Sequence, residues 1–396
     1  MTTTINNEHK KLNVPNLRFP EFQGEWEKSK LSDLCTFFSG GTPSSSNKDF
    51  YGGDIAFIRS GELHADSTEL FITQDGYDNS SAKKVEIGDL LLAMYGATSG
   101  DIAVSKIRGA INQAILCIRT NQNKKFIESV WHKHVSKILR KYLQGGQGNL
   151  SADIVKGISF SFPTLEEQEK IGQLMALLDE RIATQNKIIE DLKKLKSAII
   201  EKHYCKVEKQ IACVGDLGEP FSVGNLAKDD LTETGIPCVI YGELFTTYGE
   251  TISQIESHTY KTEGIILSKK GDLLFPSSTT VDAMSLIAPS VINMDGVILG
   301  GDMFGIHISP NFNAQYLSYY FNHIAKRQLA KFAKGSTIIH LHYADIEKAK
   351  LLLPSLEEQN RMAKCLVTLD DKIKKERTFF DLLNSQKAYL LCHMFI

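Results

Sequence analysis

Two stretches of the chain place apolar residues at alternating steps of four and three. The first series is Ile171, Met175, Leu178, Ile182, Gln185, Ile189, Leu192, Lys196 and Ile199. The second is Met362, Leu366, Leu369, Ile373, Glu376, Phe380, Leu383, Lys387 and Leu390. A mean step of about 3.5 residues is the seam of a coiled coil. The polar interruptions match because residues 163–202 return 191 positions later, as residues 354–393. Each copy opens on a proline (Pro163, Pro354) and a hydroxyl residue (Thr164, Ser355), with a glutamate three residues after the hydroxyl (Glu167, Glu358). That spacing predicts a capping box, in which hydroxyl and carboxylate satisfy the free amides of a helix start. The pattern therefore predicts two long helices of about 37 residues, each roughly 55 Å long.

The polar seam residues set the expected direction. In an antiparallel pair with a pseudo-twofold near Glu190 and Asp381, Lys196 faces Glu376, Lys387 faces Gln185, Leu192 faces Phe380, and Ile189 faces Leu383. A parallel pair would stack Lys196 on Lys387 in a partly dry seam. The antiparallel arrangement is the expectation; the other reading is two amphipathic helices, each packed on its own domain.

Short apolar runs bounded by Gly, Ser and Asp precede each long helix and predict β-rich domains. In the first half these are LSDLCTFFS, DIAFIRSGEL, KKVEIGDLLLAMYG, DIAVSK and AILCIRT, followed by a helix at 126–143, a Gly-rich loop and a strand ending at Pro163. The second half repeats the order: VGDL matches LSDL, and KKGDLLF matches EIGDLLL. A second helix is expected over NFNAQYLSYYFNHIAKRQLAKFA, ahead of KGSTIIHLHYAD and the strand IEKAKLLLP. Residues 14–26 are expected to form an extended arm on the first domain. The expected organisation is a domain at 1–162, a helix at 163–205, a domain at 206–353 and a helix at 354–396. The fold class is α+β with a pseudo-twofold internal repeat. The turn segments between strands match poorly, which points to two binding sites for different targets on one scaffold.

Composition narrows the chemistry. A net charge of -2 over 396 residues is near neutral, so any nucleic-acid binding must come from local patches. Seven scattered cysteines without a CxxC pair imply neither a disulfide framework nor a zinc site. No apolar run reaches the roughly 18 residues of a membrane span, and the polar start lacks a signal-peptide core, so a cytoplasmic location is expected. Phosphate-binding loops, HExxH, GxSxG and the segment typical of amino-directed DNA methylation are absent from the sequence. No catalytic or metal residue is assigned, and His340 and His342 are read as surface or phosphate-contacting side chains.

Positive charge gathers on the two shorter helices. Lys124, Lys125, Lys133, Lys137, Arg140 and Lys141 accompany a single acidic residue, Glu128, and Lys326, Arg327, Lys331 and Lys334 line the counterpart. Such side chains hold phosphates while neighbouring polar loops reach base edges. The candidate DNA contacts are Thr42, Ser44, Arg59, Tyr95, Thr98, Lys141, Gln144, Gln147 and Asn149 in the first half. In the second half they are Tyr241, Ser277, Ser278, Thr279, Lys334, Ser336, Thr337 and His340, all expected on exposed loops.

With PTLEEQEKIGQLMALLDERI and PSLEEQNRMAKCLVTLDDKI each closing a β-rich domain, and NVPNLRFPEFQGEWEKSKLSDL near the start, the chain resembles the specificity subunits of type I restriction-modification enzymes. The resemblance covers essentially the whole chain. It implies two target-recognition domains that each read one half of a split double-stranded DNA sequence. Two antiparallel spacer helices would set a gap of half to one turn between the halves. Modification subunits that methylate adenine with S-adenosylmethionine would dock on the helices, and restriction subunits would join to cleave DNA using ATP and Mg. This chain itself would carry no cofactor and catalyse nothing. The alternative is a protein-protein adaptor in which the same modules bind peptides.

Overall fold

A computed structural model describes residues 13–142 and 150–396. Its contacts divide the chain into two units: the first runs to Asn186 and resumes over Thr378–Ile396, and the second is Lys187–Arg377. Each long helix, Leu165–Lys206 and Leu356–Met394, thus gives one half to each unit.

In the first unit one sheet orders the strands Cys35–Ser39, Ile115–Thr120, Leu90–Ala93 and Ile102–Val104, all antiparallel. A second sheet orders Phe71–Ile72, Tyr51–Ile58, Gly109–Ile111 and Lys83–Val85, with its central pair parallel. The second unit repeats both sheets with one added strand each, and there too Ile236–Ile240 runs parallel to Ile298–Gly300. The repeated Gly-Asp-Leu-Leu segment shows why the strands sit where they do. Along Leu90–Ala93 alternate side chains enter opposite clusters: Leu90 and Leu92 join the core under the helices, while Leu91 and Ala93 join the core between the sheets. Leu273, Phe275 and Leu274 do the same in the second unit. A strand buried on both faces needs a continuous apolar run, which is what these segments carry.

The aspartates of the two Gly-Asp-Leu-Leu segments, Asp89 and Asp272, accept a backbone N–H three residues upstream, from Glu86 at 3.0 Å and Lys269 at 2.8 Å. Each also pairs with a side chain from the neighbouring strand, Arg119 at 2.7 Å and His307 at 2.6 Å.

An antiparallel ribbon leads into each long helix, Glu27–Lys30 with Ser159–Phe162 and Gln210–Cys213 with Lys350–Leu353. The expected capping box is only half formed. The amides of Glu167 and Glu358 donate to Thr164 Oγ1 and Ser355 Oγ, each at 3.4 Å. The carboxylates turn elsewhere, because stronger charged donors are in reach. Glu167, fully buried, is gripped by Arg18 of the N-terminal arm at 2.7 and 2.8 Å, and Glu358 by Arg361 at 2.7 Å and His203 at 3.1 Å.

The residue that joins helix to domain is the glutamine of each LEEQ. Gln168 donates to Pro163 O at 3.0 Å and Gln122 Oε1 at 2.8 Å, and accepts from the Asn123 amide at 3.3 Å. Gln359 donates to Pro354 O at 2.9 Å and accepts from the Asn313 amide at 3.0 Å. Both glutamines are buried, and Asn123 and Asn313 in turn cap the shorter helices through Phe126 N–H and Tyr316 N–H. A Cβ at Gly172 would lie 2.3 Å from Asn123 Oδ1, so a side chain there would displace this clamp. Gln359→Ala orphans a buried carbonyl and an amide, and should lower stability by about 2 kcal/mol. Ser355→Ala should cost about 1 kcal/mol or less. Urea midpoints of the two variants check the order.

The shorter helix of the first unit, Lys124–Tyr142, is regular. Its counterpart is α-helical over Ala314–Tyr320, widens to a π-turn over Phe321–Ala325, and closes through Lys326–Leu329 and a tight turn at Ala330–Phe332. The widening begins at the last of three consecutive aromatic residues, Tyr319, Tyr320 and Phe321, all buried.

Within each unit the long-helix halves run antiparallel. In the second, Lys196 meets Asp370 at 2.7 Å while His203 meets Glu358. In the first, Lys387 meets Asp179 at 2.5 Å while Met394 and Phe395 share a core with Ile171 and Met175. Every seam residue named above is buried or half-buried, Lys196 among them. The ion-pair partners differ from expectation. Lys196 takes Asp370 and Glu250 in place of Glu376, which Lys372 engages, and Lys387 takes Asp179 in place of Gln185. A carboxylate neutralises a lysine where an amide only accepts from it, which accounts for Lys387, and Asp179 and Asp370 are themselves 191 positions apart.

Candidate nucleic-acid interface

In the second unit the candidate residues other than Tyr241 meet at one place. The Leu341 amide donates to Ser277 O at 2.9 Å, and Ser278–Thr279 pairs antiparallel with Ile339–His340. Lys334 and His340 exchange backbone bonds of 2.9 and 2.7 Å, which closes a hairpin whose tip is Gly335–Ile339. Gly335 has φ +115, and a Cβ there would lie 2.1 Å from Ile338 O, so the turn requires glycine. Lys334, Ser336, Thr337 and His340 are exposed on this hairpin. Ser277, Ser278 and Thr279, expected in an exposed loop, are buried. They form the hairpin's partner strand, and Thr279 Oγ1 accepts from Val281 N–H and Ser285 Oγ.

The first unit holds its corresponding segments by the same bond: the Leu150 amide donates to Met94 O at 3.0 Å. Leu150 and Leu341 are both fully buried and 191 positions apart, so one leucine anchors the end of each variable loop to the turn after the Gly-Asp-Leu-Leu strand. Tyr95 is exposed and Thr98 half-buried on that turn, and Lys141 is exposed at the end of the shorter helix. Gln144, Gln147 and Asn149 lie outside the described residues.

Another repeated device, Ser60-Gly61-Glu62-Leu63 and Tyr241-Gly242-Glu243-Leu244, was not singled out above. The leucines are buried, and each glutamate folds back onto the amide three residues earlier, Arg59 N–H at 3.0 Å and Ile240 N–H at 2.9 Å. Glu62 also receives the Arg59 guanidinium at 2.8 Å, and those hydrogen bonds hold its carboxyl below the usual range. Arg59 is therefore already half satisfied, whereas Tyr241 is exposed on the equivalent turn of the second unit. Thr42 donates to Gln113 Oε1 at 2.5 Å and Ser44 shares a hydrogen bond with Ser46, both on exposed segments.

The basic patch is smaller than the sequence suggests. Lys124 Nζ donates to Gly88 O, Lys125 bridges Glu128 and Asp179, and Lys133 holds the carbonyls of Cys392 and Phe395. These three lie on the helix side packed against the protein. Lys137, Arg140 and Lys141 remain exposed in the first unit, and Arg327 and Lys331 in the second, where Lys334 leans on Asp345 at 2.5 Å. Among the described residues no cluster of three or more His, Cys, Asp or Glu could hold a metal ion, and no helix is long and apolar enough to cross a membrane.

The arrangement is two scaffolds pinned by the same few residues, each ending in polar loops of different sequence beside exposed cations. Comparison with known proteins gives one consistent result. The model of the type I restriction modification DNA specificity domain matches twice, over residues 23–194 and 206–378. The chain is 23% identical over 394 residues to the type I restriction enzyme MjaVIII specificity subunit of Methanocaldococcus jannaschii, covering 91% of this chain and 89% of that one. The crystal structure of the specificity subunit from M. genitalium superposes with a TM-score of 0.65 at 14% identity, over 97% of this chain and 99% of that one. A chain from a structural study of assembly and conformational transition in a type I restriction-modification system superposes at 0.55 and 15% identity, over 92% and 96%.

Proposed function

The chain belongs to the type I restriction-modification DNA specificity family, and from that premise we propose that it is the address-reading subunit of such a complex, each unit reading one half of a split double-stranded DNA target. The observation that carries this reading is the contrast between repeated anchors and unrepeated loops. Gln168 and Gln359, Leu150 and Leu341, and Glu62 and Glu243 make the same bonds in both units. The segments they hold up do not repeat: YGAT at 95–98 stands against STTV at 278–281, and LQGGQGN at 143–149 against KGSTIIH at 334–340. A constant frame with exchangeable loops suits two different DNA words.

In this reading Thr42, Ser44, Tyr95, Thr98, Gln144, Gln147 and Asn149 reach base edges in one half-site, with Arg59 and Lys141 on base edges or phosphates. Tyr241, Ser336, Thr337 and His340 do so in the other, with Lys334 on phosphate and Ser277, Ser278 and Thr279 supporting the hairpin from beneath. Exposed cations at the ends of the shorter helices neutralise phosphate. The long helices set the gap and receive the modification subunits. Leu177, Leu195, Leu382 and Tyr389, apolar and 49–65% exposed on those helices, support docking of a partner there. The partner subunits bring S-adenosylmethionine for adenine methylation and ATP and Mg for cleavage. This chain supplies no reacting group.

Replacing residues 206–353 by the equivalent segment of another specificity subunit tests the reading. Mapping of methylated adenines in cells carrying the hybrid should show one half of the motif changed and the other half and the gap retained. An unaltered motif would overturn it.

A further inference from the structure

The second unit's candidate reading surface is not purely polar. Three segments converge there, the tight turns Ala283–Leu286 and Ala330–Phe332 and the strand Ile339–His340, the first packed against the other two. Leu286, Leu329 and Leu341, from these segments or beside them, are all fully buried in the same core. On these segments, or within two residues of them, four apolar side chains are exposed: Val281 is 78% exposed, Ile338 51%, and Met284 and Phe332 39% each. Single exposed apolar residues are ordinary, but four from converging segments form a surface that water solvates poorly. Lys331 lies beside Phe332, Lys334 stands at the base of the hairpin, and Ser336 and Thr337 share its tip with Ile338.

Cations around an apolar centre match a duplex groove better than they match a membrane span or a small ligand. The lysines meet phosphates, the hydroxyls meet base edges, and the apolar side chains must meet something without hydrogen-bonding capacity. On the major-groove edge of DNA that partner is the C5-methyl group of thymine. We propose that the second unit reads its half-site in part through thymine methyl groups, contacted by Val281, Met284, Phe332 and Ile338. The proposal rests on the DNA-reading function above and adds the chemistry of one half of it.

The test uses the assembled modification complex and duplexes carrying its mapped target. The half assigned to the second unit is the half that changes when residues 206–353 are exchanged; if neither half changes, the DNA-reading function itself fails. Within that half each thymine, on either strand, is replaced in turn by uracil, which removes only the methyl group. At one thymine or more, methyl transfer measured as kcat/KM should fall roughly three- to tenfold, the size expected for one buried methyl to a closely packed one. Ile338→Ser or Val281→Ser should bring the thymine-to-uracil ratio at that position to near one and leave the first half-site unaffected. Equal rates for thymine and uracil at every position, or a half-site without a T·A pair, would overturn the proposal while leaving the two-word reading intact. Loss of complex assembly in the Ile338 and Val281 variants, with unchanged thymine preference in the wild type, would reassign the surface to a protein contact.

Discussion

Inserting one heptad into both long helices, after Asn186 and after Arg377, should lengthen the unspecified gap in the DNA target by about three base pairs and leave both half-sequences unchanged. Seven residues add about 10.5 Å to a helix and turn it by within ~20° of two full revolutions, so the seam continues to face its partner. Duplex DNA rises ~3.4 Å per base pair, which converts the added length into about three pairs. The two sites lie 191 positions apart, at equivalent points of the repeat. They also lie at the division between the units, so the Lys387–Asp179 pair stays in one and the Lys196–Asp370 pair in the other. Mapping of methylated adenines reads the outcome directly. A motif with the old gap would remove the spacer role from the helices. Inserting two residues turns the seam by about 200° and should abolish the assembled, active complex.

Lys196→Ala should destabilise the second unit by about 3 kcal/mol or more. The ammonium is 8% exposed and touches Glu250 at 2.9 Å and Asp370 at 2.7 Å, with the Tyr319 ring 4.8 Å away. Removing the lysine leaves two carboxylates without its charge, Glu250 keeping His323 at 2.9 Å and Asp370 the Tyr319 hydroxyl at 2.6 Å, and breaking such a buried network costs more than the pair contributed. Lys387→Ala is the matched control. Lys387 is 29% exposed and its partner Asp179 retains Lys125 at 2.6 Å, so the loss there should be about 1 kcal/mol. Both tryptophans, Trp26 and Trp131, lie in the first unit. Urea unfolding of Lys196→Ala should therefore lower the midpoint seen by far-ultraviolet circular dichroism more than that seen by tryptophan fluorescence, and equal shifts would argue against a local effect.

The same network predicts an acid limit. Burial would by itself raise the Glu250 carboxyl, but hydrogen bonds from His323 and Lys196 and the charge of Lys196 outweigh it and bring its pKa down to about 2 from 4.5. A depressed carboxylate contributes stability that is fully present above pH 4.5 and is lost as the pH falls toward 2. The groups facing Glu250 in this network are Lys196 and His323. Wild-type stability should drop through that window by on the order of 2–3 kcal/mol more than in a Glu250→Gln variant.

The long helices and their direction were legible because a 3.5-residue period written twice leaves few ways to bury Ile171, Leu178, Ile373 and Leu383. The carboxylate halves of the capping boxes were not, since nothing local reveals that Arg18 returns from well over a hundred residues away to take Glu167. Gln168 and Gln359 stood in plain view inside LEEQ, yet an amide's role depends on where the Pro163 and Pro354 carbonyls and the amides before the shorter helices fall, which only the fold supplies. The candidate loops divided for a similar reason. Exposure of Ser336, Thr337 and His340 follows from a glycine hairpin, whereas Ser277 to Thr279 look like a polar turn and become a buried strand once Ile339 and His340 pair with them. Helical spacing alone could not separate Lys125 and Lys133, which face the protein, from Lys137 and Lys141, which face solvent.

The first unit closes over Met394 and Phe395, whose side chains share a core with Trp26, Phe126 and Ile171, and Lys133 holds the Phe395 carbonyl. Those residues leave the ribosome after the whole of Lys187–Arg377. The order of maturation is thus the reverse of the order of synthesis: the unit begun second can be completed first, and the unit begun first waits, one side of its core uncovered. A chain released before Thr378 would possess every residue of its rear half, while its front half stayed a client for chaperones.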